Sequence, residues 1–109
     1  MLNYNKDTNA MSMVAKDTAT FVISLDNYIL DTGDTVYFTV SKELEQPEPA
    51  IQKVITEFDE HKAVIMLSSE DTDIPVGKYY YDIQINTADG RVDTVLGPHT
   101  FKITGGATY

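Results

Sequence analysis

Gly77-Lys78-Tyr79-Tyr80-Tyr81-Asp82-Ile83-Gln84-Ile85-Asn86, followed by Thr87-Ala88-Asp89-Gly90 and a second extended run over 91–96, decides the fold. Tyr79, Tyr81, Ile83 and Ile85 take every second position, and Lys78, Asp82, Gln84 and Asn86 fill the gaps. That is the period of a strand with one buried face. Asp89-Gly90 between the two runs is a hairpin signal, because a tight turn needs the positive φ that Gly supplies and Asp tolerates.

Working outward, the same period recurs. Phe21, Ile23 and Leu25 alternate with Thr20, Val22 and Ser24, and Val36, Phe38 and Val40 alternate with Thr35, Tyr37, Thr39 and Ser41. Asp31-Thr32-Gly33-Asp34 is a cluster of turn formers between these two strands. Asp-Thr-x-x-Phe occurs at Asp17 and again at Asp34, which reads as one turn-into-strand solution used twice. Residues 42–49 carry Pro47 and Pro49 among three Glu and are expected to be a loop, since proline cannot donate to a central ladder. Ile51 to Phe58 and Ala63 to Leu67, joined by Asp59-Glu60-His61-Lys62, read as a second hairpin. Ser68-Ser69-Glu70-Asp71-Thr72 is the candidate for one helical turn, with Ser at the N-cap and acids behind it. Gly97-Pro98 marks either a bulge in one long strand or a break before Thr100 to Thr104.

About seven short strands in a chain of 109 residues predict one all-β domain, an immunoglobulin-like antiparallel β-sandwich, with a small barrel as the alternative. Gly-x-Tyr-x-Tyr after an acidic turn suggests a tyrosine corner, with Tyr79 or Tyr81 bonding the backbone of the preceding connection. The expected core is Phe21, Ile23, Val36, Phe38, Val40, Ile65, Leu67, Tyr79, Tyr81, Ile83, Ile85, Phe101 and Ile103. Residues 16–104 make this domain. Residues 1–15 show neither period clearly and are expected to be an arm outside the core, and 105–109 a flexible tail.

Composition narrows the function classes. A net charge of -9 with eight scattered Lys and Arg argues against nucleic acid or an anionic membrane surface as partner. The chain has no Cys, so disulfides, thiolate chemistry and Cys metal sites are excluded. No apolar stretch approaches the roughly 20 residues of a membrane span. Nothing at Met1 to Asp7 resembles a signal peptide, so synthesis in the cytoplasm is expected. His61 and His99 lack the spacing that pairs a His with a nucleophile, and the 17 acids show no pattern of a glycosidase pair. Glu70, Asp71 and Asp73 are the densest acidic group but miss the calcium-loop pattern. No catalytic, cofactor or metal residue is therefore expected. The candidate partner contacts are Leu2, Tyr4, Met11 and Met13 in the arm, Tyr80 on the outward phase of its strand, and Tyr109 in the tail.

Asp17-Thr18-Ala19-Thr20-Phe21, Gly33 to Val40, Ile51-Gln52-Lys53, Glu70-Asp71-Thr72, Gly77 to Gln84, and Asp89-Gly90 with Asp93-Thr94-Val95 together resemble a family of small proteins. The family is encoded among phage and prophage structural genes of Gram-positive bacteria. The likeness runs from about Lys16 to Ile103, and Lys16 stands where the family's first motif usually opens with glycine. The resemblance implies an immunoglobulin-like sandwich similar to the N-terminal domain of phage baseplate upper proteins. It also implies a non-enzymatic virion part, a tail or baseplate adaptor or a head decoration. Its partners would be other virion proteins and copies of itself, and its location the virion after synthesis in the host cytoplasm. The alternative class is a glycan-binding or adhesin-like sandwich module.

Overall fold

The computed structural model of the chain describes residues 2–24, 30, 33–42, 49–59 and 61–105. Among the described residues there are eight strands and no helix: β1 (Asn3–Asn5), β2 (Ala10–Val14), β3 (Ala19–Ser24), β4 (Thr35–Ser41), β5 (Ile51–Ile55), β6 (Lys62–Leu67), β7 (Gly77–Asn86) and β8 (Val92–Thr104). Six form one sheet in the order β1-β2-β8-β7-β4-β5, and β3 pairs with β6 in a second. The fold is an all-β sandwich. Its β3–β6 pair and its β8-β7-β4-β5 run follow the B–E and G-F-C-C′ order of immunoglobulin-like sandwiches.

The alternating residues explain this packing. Val36, Phe38 and Val40 of β4, Tyr79, Tyr81, Ile83 and Ile85 of β7, and Phe101 and Ile103 of β8 are buried on the inner face of the large sheet. Ile23, Ala63, Ile65 and Leu67 meet them from the small sheet. Phe38 is the hub, with ring centroids 5.4 Å from Phe21, 5.7 Å from Tyr81 and 6.3 Å from Phe101. Edge-on and tilted arrangements at these distances suit the quadrupoles of aromatic rings.

β7 and β8 form the expected hairpin. Its tip is closed by Gly90 N donating to Thr87 O at 3.0 Å and Thr87 N donating to Arg91 O at 2.8 Å. Gly90 sits at φ +96°, where a Cβ would be strained. Gly97-Pro98 is a bulge, not a break: both residues lie opposite Asp82 alone, between the Tyr81–His99 and Ile83–Leu96 pairs. The bulge is where a proline without an N–H is tolerated in a paired strand. A second extra residue, Val95, follows between Leu96 and Thr94.

The corner before β7 is held by three local devices. Ser68 N donates to Asp71 Oδ2 at 2.8 Å while Asp71 N donates to Ser68 Oγ at 3.1 Å, a reciprocal capping box around a single turn. Tyr79 Oη donates to Pro75 O at 2.7 Å, so Tyr79 is the tyrosine of the corner. The buried Thr72 hydroxyl donates to Asp17 O at 2.6 Å, and Lys16 N donates to Thr72 O at 3.2 Å, tying this corner to the turn before β3.

Four expectations need correction. Residues 1–15 are not an arm outside the core. β1 and β2 form an antiparallel pair, β2 runs parallel to β8 with Met13 opposite Ile103, and Met11, Met13 and Ala15 are buried. The reason is that β8's outer edge would otherwise leave backbone groups and the end of the core in water. The stretch 51–67 is not a hairpin, since β5 pairs with β4 and β6 with β3, so the chain crosses between sheets there. The sandwich is not wholly antiparallel, because of the β2–β8 pair. Phe21, expected in the core, is only half-buried. Leu25, most of the 42–49 loop and the tail beyond Gly105 lie outside the described residues.

Two stability predictions follow from these placements. Met13→Ala should lower unfolding free energy by about 2–5 kcal/mol, measured by urea denaturation, because it hollows a fully packed site. An unchanged denaturation midpoint would return residues 1–15 to the role of a dispensable arm. Lys16 adopts φ +69°, the left-handed region where glycine is unstrained. Lys16→Gly should therefore raise stability by up to about 1 kcal/mol, the relief of strain exceeding the added freedom of the unfolded chain. A lower Tm for this variant would show that the Lys16 side chain contributes more than its backbone costs.

Candidate interaction surface

The N-terminal hairpin is joined to the large sheet by a polar cluster. Asn5 opens its turn by accepting from Asp7 N at 2.9 Å and Thr8 N at 3.3 Å, and Asn9 closes it at φ +59°. This conformation presents Asn9 to the sheet. Tyr81 Oη donates to Asn9 O in a short hydrogen bond, and Tyr4 Oη donates to Asn9 Oδ1 at 2.6 Å. The Asn9 amide nitrogen sits 3.5 Å from Nε2 of His99, the residue opposite Tyr81 on β8, whose ring centroid is 6.0 Å from the Tyr81 ring. Burial, with a smaller contribution from Tyr4, pushes the Tyr81 phenol up to about 12. Tyr81, Tyr4 and His99 thus converge on Asn9 and make a clasp between elements.

The sequence-predicted contacts separate. Leu2 is half-buried against the core and Tyr4 is exposed on β1, while Met11 and Met13 point into the core, Met13 fully covered and Met11 at the floor of a groove beside Leu2 and Tyr4. Tyr80 is half-buried on the outer face of the large sheet, with Lys78 Nζ 5.4 Å from its ring centroid. Tyr109 lies outside the described residues. Asp71 is engaged in the capping box and in an ion pair with Lys53 at 2.7 Å. Burial alone would raise its carboxyl, but the Lys53 and Ser68 hydrogen bonds outweigh it and hold the group below its ordinary value. Asp82, half-buried on the outer face, is pushed up by burial, and its cross-strand neighbour on β4 is Thr39, not a second carboxylate. Among the described residues no group of three or more His, Asp or Glu could hold a metal ion.

The surface that sequence reading missed is apolar. Val22 of β3 lies opposite Val64 of β6, and Thr20 opposite Met66, on the outer face of the two-stranded sheet. Val22 is 53% exposed, Val64 45% and Met66 66%. The signal was an apolar residue on the polar phase of an alternation, at Val22, and a five-residue apolar run at 63–67 that conceals which side is inside. Beside this face a shallow groove of about 450 Å3 runs between Val22, Phe58 and Val64, with Glu57, Asp59 and Lys62 on its rim.

Comparison of the chain with protein-family models, with curated proteins and with solved structures finds no match.

The clasp has a pH signature. A phenol whose folded value lies above its unfolded value of 10.0 contributes stability that is complete below pH 10 and is lost as pH rises toward 12. Thermal melts should show Tm falling across that interval, and Tyr81→Phe should flatten the fall while lowering stability at pH 7 through the orphaned Asn9 carbonyl. A slope identical in both proteins would assign the alkaline loss to other groups.

Proposed function

We propose that the chain is a non-enzymatic structural module of a phage particle, an adaptor or decoration that acts through protein–protein contacts. The observation that carries this reading is the exposed apolar face of Val22, Val64 and Met66 on the sheet that β3 and β6 form among the described residues. Contiguous apolar surface of this kind on a soluble domain marks contact sites. The motif series from Lys16 to Ile103 supplies the particle context, and the strand order agrees with the immunoglobulin-like module that it implies. A rigid sandwich suits such a part, because its surfaces keep their geometry when neighbours dock.

The test is incorporation. Tagged wild-type chain and the double variant Val64→Asp, Met66→Asp, both expressed in a host carrying an inducible prophage of this type, should differ in purified particles. The wild type should be present and the variant depleted at least tenfold, with its isolated Tm within a few degrees of wild type, since both side chains face solvent. Absence of the wild-type chain from particles, or selective binding to an oligosaccharide array, would overturn the reading and favour the glycan-binding class.

A further inference from the structure

The two sheets differ in width, and the narrower one ends at β3. Among the described residues β3 pairs with β6 on one side and with no strand on the other. Along that open side lies a groove of about 380 Å3. Residues Phe21 to Ser24 form one wall, Leu2 and Tyr4 the other, and the buried Met11 and Ile83 of the large sheet the floor. Four consecutive β3 residues reach the groove, yet successive side chains of a strand point to opposite faces. The groove therefore follows the backbone edge of β3 as well as its inner face. Phe21, an inner-face residue, is half-buried, and among the described residues no third strand closes the small sheet beside it.

Open edges in soluble proteins are commonly blunted by charge, proline or shortness. β1 is only three residues long, β5 carries Lys53, and β6 carries Lys62. Ala19-Thr20-Phe21-Val22-Ile23-Ser24 has none of these protections.

We propose that the β3 edge and its groove accept an extended segment of a partner protein as the third strand of the small sheet. The segment carries apolar residues at alternate positions, with Lys or Arg among the rest. This rests on the protein-contact reading above and assigns it a place. Main-chain hydrogen bonds to β3 give affinity, while the alternate side chains facing Met11 and Ile83 must be apolar to fill the groove. The other side chains emerge beside Val22 on the exposed face. Charge selects the occupant: among the described residues the groove has no charged lining side chain, and the chain carries -9, so a second copy meets like charge and a basic segment meets the opposite one.

The probe is a synthetic capped peptide of alternating Lys and Val, about seven residues long to match a strand of β3's length, titrated into the 15N-labelled full chain. Two controls carry Glu in place of Lys, or Pro at the central position. Amide shifts are expected at Thr20 to Ser24 and at Leu2, Met11 and Ile83, with affinity at least tenfold weaker for the Glu peptide and no binding by the Pro peptide. Thr20→Lys, at an exposed position, should weaken binding of the Lys peptide without unfolding the chain. Shifts confined to β1 or β5, equal binding of all three peptides, no binding by any, or a chain dimer that Thr20→Lys dissociates would each overturn the assignment. If the edge fails while the chain still enters particles, the protein-contact reading stands without it. If the edge binds peptide while particles lack the chain, the particle context falls and the edge remains.

Discussion

The structure depends on satisfying a phenol at the centre of a packed face. Tyr81 is 1% exposed, its ring lies against Phe38 and Phe101, and a hydroxyl so placed is costly without a partner. Asn9 supplies the partner from a turn 72 residues away in sequence, which requires the N-terminal hairpin to be docked before the core is complete. Once docked, the hairpin places β2 against β8, so the parallel pair and the burial of Met11 and Met13 follow from the same requirement. Tyr79, two residues earlier on the same face, solves the same problem locally by bonding Pro75. One tyrosine fastens a corner and the other fastens a terminus.

The widths of the two sheets set what is left exposed. Six strands offer a broad inner face, whereas two strands cover only part of it. Ile65 and Leu67 of β6 are fully covered, while Phe21 on β3 is only half-buried. The small sheet also keeps Val22, Val64 and Met66 in water, a cost that a domain of this size ordinarily avoids by putting polar residues there. The large sheet's outer face shows the ordinary solution, with Thr39, Asp82 and Gln84 in neighbouring strands.

The sequence was legible where one face is buried and the other wet. The alternations at Tyr79 to Ile85 and Val36 to Val40 identified inner-face residues that are all buried, and Asp89-Gly90 identified the hairpin tip. Pairing partners were less legible, because they depend on competition between distant edges. Asp59-Glu60-His61-Lys62 is short enough for a hairpin, but β4 and β3 each had an edge to be filled, and β5 and β6 went to one each. The N-terminal strands were missed because Met is a weak marker of strand period and Asn3–Asn5 is only three residues long and exposed throughout. Ala10-Met11-Ser12-Met13-Val14 does alternate in burial, so the period was present in a composition that conceals it. Of the candidate contacts, Tyr4 was placed on an accessible surface for the wrong reason, as part of a loose arm.

That difference changes how the N-terminus can serve a contact. A disordered arm must lose conformational freedom when it binds, which weakens association. Here Leu2 and Tyr4 are already held, Tyr4 by Asn9 and Leu2 by the core beneath it, and together they form the far wall of the groove beside β3. The clasp that completes the core thus also sets the width of the groove, so the entropy of arranging that wall is lost during folding and not during docking. The same arrangement makes the groove sensitive to the clasp: without the Tyr81 and Tyr4 hydrogen bonds to Asn9, the hairpin loses its polar anchors at the wall and the two sides of the groove are no longer held apart at a fixed distance. Stability and the proposed recognition therefore meet in the same few N-terminal residues.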